Sequence, residues 1–272
     1  MESEETKGVV LVTHLNPDLD ACTAVWLLTR YVFPESEYQY EFVPVGPERK
    51  AINTAERERI IYIDTGGGRY DHHATSDYVC AASLIAKDYS IRDPAATEMI
   101  EYALAVDHGK VVGADVGSFD LVNIIEGLNK LYPDSPKLVL EVTLSCLDAV
   151  HTNLSDLLEA EEYLKRATFF KTEWGKGVGV VTSNMKTRYL AHRRGFEVFV
   201  YVDPEHGYRG FMAPGNSKAD FSAIYREIVE LEPGADWFLH SSKQLLLCGS
   251  SKAPDKRPSS LSLEQMIDLV RS

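Results

Sequence analysis

The stretch that decides the fold is residues 8–22, GVVLVTHLNPDLDAC. It begins with a continuous apolar run, which is typical of a strand buried on both faces of a sheet. The run ends at His14, and Asp18 and Asp20 follow within a few residues. Apolar residues at helical spacing come next over 21–33, and Asp20 has the position of an N-cap residue. A buried strand followed at once by an imidazole and two carboxylates predicts a ligand-binding edge of a sheet.

The same alternation of strand and helix continues along the first half of the chain. Residues 40–45 and 59–64 have the pattern of further strands, and residues 76–89 and 95–109 that of helices. Gly109 stands where a C-cap glycine is expected. The alternation predicts an α/β fold with a doubly wound, mostly parallel sheet.

The second half of the chain has a different pattern. Residues 137–171 are helical in pattern, and the sequence EWGKG at 173–177 breaks it before a strand-rich series begins. The sequence therefore predicts two domains, 1–172 and 173–272. The second is the smaller and is also expected to be α/β.

Composition limits the class of protein. The 272 residues are 44% hydrophobic and 25% charged, as in ordinary globular proteins, and no apolar run reaches the ~18–20 residues that span a bilayer. The acidic N-terminal segment lacks the layout of a signal peptide, and the four cysteines form no CxxC pair. We therefore expect a cytoplasmic protein with reduced thiols and no membrane partner. A net charge of −13 argues against a nonspecific nucleic-acid coat.

Acids and histidines recur where the predicted parallel strands end. Asp64 ends one strand, and the sequence GGGRYDHHAT at 66–75 supplies an Asp-His-His run soon afterwards. Asp107 ends a predicted helix. Any one of these residues alone is explained as a turn, a helix cap or a polar surface group. Together, carboxylate oxygens and imidazole nitrogens favour Mn²⁺ or a similar divalent ion, and one carboxylate can bridge two ions ~3.5–4 Å apart.

These residues match a known pattern. The run VTHLNPDLDA, then YID, then DHH and a later Asp, resembles the DHH phosphoesterase superfamily, whose motif is His-x3-Asp-x-Asp followed by Asp-His-His. That superfamily includes RecJ-type exonucleases, oligoribonucleases, cyclic-dinucleotide phosphodiesterases and manganese-dependent inorganic pyrophosphatases. The resemblance covers residues 8–110 well and the remainder poorly.

The resemblance implies two divalent cations per chain, with Mn²⁺ the first choice and Mg²⁺ or Co²⁺ as alternatives. The ligands that it implies are His14, Asp18 and Asp64 for one ion, and Asp20, Asp64, His72 and Asp107 for the other. Among the catalytic residues, His73 would face the phosphate and Asp71 would orient a histidine. The assignment of Asp107 rests on a lone aspartate, so His108 and Asp115 remain alternatives to it.

Relatives in this superfamily carry a GGGH-type loop in the second domain, and this chain lacks that motif. Two groups of residues are candidates for substrate binding instead. The first is the turn that contains Gly249, Ser250, Ser251 and Lys252. The second is the basic helix of residues 184–195, with Arg188, Arg193 and Arg194. A solvated turn and a solvated helix face are the alternative interpretations.

The expected function is therefore a metal-dependent phosphohydrolase. A water activated by two metal ions would cleave a phosphodiester or phosphomonoester, most in keeping with a short oligonucleotide or a nucleotide. Few aromatic residues alternate with basic ones, so no platform for a long single strand is expected. The alternative function is a catalytically silent metal- or nucleotide-binding regulatory protein of the same fold. The oligomeric state stays open, with a homodimer among the options.

Overall fold

The computed structural model describes residues 8–45, 59–111 and 119–271. Over these residues the chain has a mixed α/β architecture with eight α-helices and two β-sheets. It divides into two compact units, Met1–Asn153 and Leu154–Ser272. This division lies within a long helix, whereas the sequence pattern places the boundary at residue 173.

The sheet of the first unit contains three parallel strands, in the order β2-β1-β3. The strands are β1 (Val9–His14), β2 (Tyr38–Val43) and β3 (Arg59–Tyr62). Every residue of β1 is buried, as its apolar sequence predicts for a central strand. The three predicted strands and their parallel pairing are confirmed.

Four helices belong wholly to the first unit: α1 (Leu19–Leu27), α2 (Ala81–Asp88), α3 (Pro94–Asp107) and α4 (Leu121–Leu131). All nine residues of α1 are buried, and a π-helical turn over Leu28–Val32 extends it. The N-cap of α1 is Asp18, whose carboxylate accepts from the backbone N–H of Ala21 at 3.0 Å. The prediction that Asp20 is the N-cap is wrong, because this residue lies inside the first turn of the helix.

Asp20 instead caps a different helix. Its two carboxylate oxygens accept from the backbone N–H groups of Ala81 and Ala82, at 2.7 and 2.9 Å. These N–H groups have no partner within their own helix, so a carboxylate there satisfies them. This contact accounts for the start of α2 at Ala81, five residues later than the sequence pattern predicts.

The predicted C-cap at Gly109 is confirmed. Gly109 has φ of +63°, and the backbone N–H of Lys110 donates to the carbonyl of Ala105 at 2.8 Å. The N–H of Gly109 donates to the carbonyl of Val106 at 2.9 Å, which completes a Schellman motif. Helix α3 therefore ends at Asp107, and this residue occupies its last turn.

The long helix α5 spans Pro136–Lys165 and precedes a six-stranded mixed sheet in the order β4-β5-β6-β7-β9-β8. Its strands are β4 (Thr168–Thr172), β5 (Gly175–Val181), β6 (Val198–Val202), β7 (Arg209–Met212), β8 (Trp237–Leu239) and β9 (Leu245–Cys248). The predicted helix over 137–171 is therefore wrong at its end. Residues 168–172 pair antiparallel with β5, so the EWGKG break is a hairpin turn.

Three shorter helices complete this unit: α6 (Lys186–Arg193), α7 (Ser222–Leu231) and α8 (Leu263–Asp268). Strands β5 and β6, which α6 connects, are parallel, and the other described pairs in this sheet are antiparallel. Across the described ranges, none of the helices has both the length and the apolar character that crossing a bilayer demands.

Candidate metal centre

The carboxyl ends of β1 and β3 bring together a histidine and an aspartate. His14 is the last residue of β1, and Asp64 follows β3 by two residues. Because parallel strands end at the same edge of a sheet, the two side chains meet there. The distance from His14 Nε2 to Asp64 Oδ2 is 3.2 Å, and both residues are buried.

Asp64 also faces a second histidine. Its Oδ1 lies 3.1 Å from Nε2 of His72, without the geometry of a hydrogen bond. Both atoms are buried, and within the described part of the chain neither has a hydrogen-bond partner. A buried polar atom without a partner costs about 1–3 kcal/mol, and a cation between the two atoms would satisfy both.

The remaining acids lie around these two histidines. Asp18 Oδ1 is 3.9 Å from Nε2 of His14. Nε2 of His72 is 3.7 Å from Asp20 Oδ2 and 3.7 Å from Asp107 Oδ2. Three groups of three residues could each hold a cation, because one ligand atom from each residue lies within 4.8 Å of those of the other two. The groups are His14–Asp18–Asp64, Asp20–His72–Asp107 and Asp64–His72–His73.

The structure thus places all six sequence-predicted ligands at one edge of the sheet. It also shows the contacts of His108, one of the two alternatives to Asp107 as a metal ligand. His108 Nε2 lies 2.9 Å from the backbone carbonyl of Val79, so this ring nitrogen already has a partner. Asp115 lies outside the described residues.

A tight loop returns the chain from Asp64 to the two histidines. The backbone N–H of Asp64 donates to the carbonyl of Tyr70 at 2.9 Å, which closes the loop. Within it, Gly66 and Gly67 have positive φ angles of +80° and +65°. The N–H of Gly67 donates to Asp71 Oδ2 at 2.7 Å, and this bond fixes the start of the Asp-His-His run.

Asp71 contacts both the ring and the backbone of His73. Asp71 Oδ1 lies 2.9 Å from His73 Nδ1 and also accepts from the backbone N–H of His73 at 3.1 Å. Burial acts to raise the pKa of Asp71, but the hydrogen bonds from Gly67 and His73 outweigh it and lower the pKa. Burial acts in the opposite direction on His73, where the hydrogen bond to Asp71 and the charges of nearby carboxylates raise the pKa.

Burial raises the pKa of three acids in the cluster. Burial, followed by the charge of Asp64, raises the pKa of Asp20 to about 7. Burial also raises the pKa of Asp18 and Asp107. For His14, burial acts to lower the pKa, but its interactions with Asp64 and Asp18 raise it. Several buried carboxylates that repel one another would be stabilised by bound cations.

In the second unit the structure separates the three predicted arginines. Arg188 and Arg193 line a pocket of about 450 Å³ together with Tyr189 and His192. Arg194 instead forms an ion pair with Glu161. The turn residues from Gly249 to Lys252 line neither of the two pockets described in this unit.

The larger pocket of this unit has a volume of about 720 Å³ and is also lined by Arg188 of the predicted basic helix, but the sequence analysis did not predict the part formed by Ser183. Ser183, Asn184 and Lys186 line it directly after β5. The available signal was the polar run Thr-Ser-Asn after an apolar strand, the same kind of signal that residues 8–20 provide. No family model matches this sequence, and no curated protein is significantly similar to it.

Proposed function

We propose that this chain is a divalent-metal-dependent phosphoesterase with a DHH-type, doubly wound first domain. The observation that carries the proposal is the position of Asp64. It is buried, and each of its two carboxylate oxygens faces the Nε2 atom of a different histidine at 3.1–3.2 Å. One carboxylate between two such groups is the arrangement expected of a residue that bridges two ions.

The donors fit two cations. Four carboxylates and two imidazoles suit Mn²⁺, with Mg²⁺ or Co²⁺ as alternatives, better than a site rich in thiolates would. The residues that would hold the ions are His14, Asp18, Asp20, Asp64, His72 and Asp107. Bound divalent cations would supply Lewis-acid activation of water and would neutralise charge on a phosphoryl group.

His73 is the residue of this edge best suited to contact the phosphate. Its side chain is 51% exposed, and its ring stacks on that of His72 with a centroid distance of 4.8 Å. Because Asp71 engages Nδ1, the other ring nitrogen stays available to donate to a phosphoryl oxygen or a leaving group.

A short oligonucleotide or a nucleotide is the substrate class that we propose. Arg188 and Arg193 line the same pocket as Tyr189, and the guanidinium of Arg193 lies 5.6 Å from the Tyr189 ring centroid. Guanidinium groups bind phosphate, and an exposed tyrosine ring offers a face for a base. Arg194 has no part in this proposal because it is paired with Glu161.

The test combines metal counting with hydrolysis of bis-p-nitrophenyl phosphate and a 5′-labelled short RNA. We expect two manganese ions per chain and Mn²⁺-dependent cleavage that a chelator abolishes. Asp64→Asn should retain fewer than two ions and lose more than about 100-fold in turnover, since even groups that merely support ligands contribute 10–100-fold. Asp77→Asn, the same change at an exposed residue outside the cluster, is the matched control.

Each outcome has a distinct meaning. Two bound ions without turnover on either substrate would contradict the hydrolase and support the metal-binding regulatory alternative. A chain that binds no manganese at all would overturn the metal centre itself.

A further inference from the structure

The larger pocket of the second unit lies at the carboxyl ends of β5 and β6, the pair of strands in this sheet that run parallel. In open α/β sheets this is the edge where ligands bind. The pocket is lined by α5, by the loop after β5, by the start of α6 and by the loop after β6. Its volume of about 720 Å³ is within the range of small-molecule sites.

Two hydrogen-bond networks fix its walls. The first centres on the buried carboxylate of Asp203, directly after β6. It accepts from Ser183 Oγ at 2.8 Å and from the backbone N–H groups of Glu205 and His206 at 2.9 and 3.0 Å. Burial acts to raise the pKa of Asp203, but these bonds outweigh it and lower the pKa, so the network is held by a charged group. The Asp203 network joins the two loops that line the pocket.

The second network centres on Asn184. Its amide nitrogen donates to the backbone carbonyl of Asp156 and to Glu159 Oε2, both at 2.8 Å. Its amide oxygen accepts from the backbone N–H of Lys186 at 2.9 Å. Asn184 therefore ties α5 to the first turn of α6. Walls held in this way are preorganised for a ligand.

Among the described residues, the charged side chains of the pocket are not neutralised by ion pairs, although Glu159 accepts hydrogen bonds from the Asn184 amide and the Tyr163 hydroxyl. Five charged side chains line it: Asp156, Glu159, Glu205, Lys186 and Arg188. In the described ranges, none of them is within 4.0 Å of an oppositely charged group. The acids come from α5 and from the loop after β6, and the bases come from α6. Three negative and two positive groups leave the pocket with one excess negative charge.

Two tyrosines complete the lining, Tyr163 on α5 and Tyr189 on α6. Tyrosine rings attract cations, and guanidinium groups in particular stack on them. The pocket therefore offers carboxylates and aromatic faces to a cationic group, and a lysine with an arginine to an anionic one. A ligand that matches the excess charge carries two cationic groups and one anionic group.

We propose that this pocket binds a free basic amino acid, with arginine as the best match. The guanidinium and α-ammonium groups of the ligand would meet the acidic side, and its carboxylate would meet Lys186 and Arg188. The lining residues of this pocket all belong to the second unit, whereas the metal-ligand groups belong to the first. Arg188 and Tyr189 also line the smaller pocket that we assign to the phosphoester substrate, so the two ligands would share these side chains, and the experiment below distinguishes the two proposals.

The test is isothermal titration calorimetry on the full chain with three related probes: L-arginine, L-citrulline and agmatine. Citrulline has the shape of arginine without the guanidinium charge, and agmatine lacks the carboxylate. We expect saturable binding of one arginine per chain. The affinity for citrulline and the affinity for agmatine should each be about 10-fold lower, because each of these ligands lacks one charged hydrogen-bonding group.

Variants then assign each end of the ligand. Asp156→Asn and Glu205→Gln should each weaken arginine binding by about 10-fold, and Glu227→Gln on the exposed face of α7 is the matched control. Lys186→Gln should weaken the binding of arginine but leave that of agmatine unchanged, since agmatine has no carboxylate. Lys218→Gln is the control for this change.

Equal affinities for arginine and citrulline would overturn the proposal, as would the absence of saturable binding up to about 10 mM arginine. So would a Lys186→Gln chain that loses arginine and agmatine equally. Repeating the titration with Mn²⁺ and with chelator separates this result from the metal proposal. We expect the same arginine affinity in both.

Discussion

Asp64 has an unusual backbone conformation and also lies in the candidate metal centre. Its φ of +54° lies in the left-handed region, which residues other than glycine seldom occupy and which aspartate tolerates better than most. Residues held in such conformations often belong to functional sites. Here the conformation turns the chain out of β3 and into the loop that carries the Asp-His-His run.

Gly66, within this loop, gives the first prediction. Its φ is +80°, and a Cβ atom would lie 2.7 Å from Cδ1 of Tyr62. We expect Gly66→Ala to reduce the free energy of unfolding by about 1–3 kcal/mol, measured by urea denaturation. Gly68→Ala is the matched control, because a Cβ there would meet Tyr62 at an ordinary 3.5 Å. Equal losses in the two variants would show that this reasoning is wrong.

The hydrogen bonds of Glu232, in the second unit, predict that the stability of the fold depends on pH. It accepts from Ser259 Oγ and from both the N–H and the Oγ of Ser260, at 2.5–2.7 Å. Burial acts to raise its pKa, but the hydrogen bonds from Ser259, Ser260 and Trp237 outweigh it and lower the pKa. A lowered pKa in the folded state contributes stability above the unfolded pKa, and this contribution disappears as pH falls through the folded value.

We therefore expect Glu232→Gln to cost about 1–3 kcal/mol of unfolding free energy at pH 7. The difference from the unsubstituted chain should narrow between about pH 5 and pH 3, as Glu232 becomes protonated. Chemical denaturation at several pH values measures this. A difference that stays constant over that range would exclude the carboxylate charge as its cause.

At the scale of secondary-structure elements, the segment after β1 organises two helices. Asp18 caps α1, and Asp20 caps α2 from within the first turn of α1. Negative side chains at helix N-termini are favoured by the helix dipole as well as by hydrogen bonding. The same two carboxylates belong to the metal-ligand groups, so the packing of these helices and the geometry of the centre depend on each other.

Helix α3 gives a prediction at this scale. Asp93 caps it by accepting from the N–H of Ala96 at 2.8 Å, and the same oxygen lies 3.0 Å from Nε2 of His151. Asp93→Ala removes both contacts, so we expect a loss of about 1–3 kcal/mol in unfolding free energy. Asp93→Asn keeps a capping oxygen and should cost less. An Asn variant as unstable as the Ala variant would contradict the capping role.

At the scale of the whole molecule, the two sites belong to different compact units. Every residue of the metal-ligand groups lies within Met1–Asn153, and the proposed amino-acid pocket lies within Leu154–Ser272. Each unit has a sheet of its own. A ligand that binds only the native state of one unit should therefore stabilise that unit first.

Hydrogen exchange with and without Mn²⁺ tests this. We expect Mn²⁺ to slow exchange in the loops around His14, Asp64 and His72, and to leave the core strands of the second unit unchanged. At an ion concentration of about 100 times Kd each bound ion should contribute ~2.7 kcal/mol of stabilisation. Exchange that stays unchanged in the loops around His14, Asp64 and His72 would contradict a metal site there.

The sequence by itself determined the three strands of the first unit and the end of α3, but it did not predict α4. The sequence predicted β1, the two further strands and the Gly109 cap. A strand buried on both faces requires apolar residues, and a positive φ at a helix end favours glycine. The resemblance to the DHH pattern implied the six candidate ligands, and the expectation that parallel strands end at a common edge agreed with it for His14 and Asp64. Their roles as ligands remain a proposal.

Only the tertiary structure decided which helix each aspartate caps. The sequence cannot show that Asp20 reaches Ala81, because that contact joins residues far apart in the chain. The strand at 168–172 was misread as helix because its pairing with β5, and not its local pattern, makes it a strand. The separation of Arg194 from Arg188 and Arg193, and the pocket between α5 and α6, likewise depend on contacts that arise only when distant segments pack together.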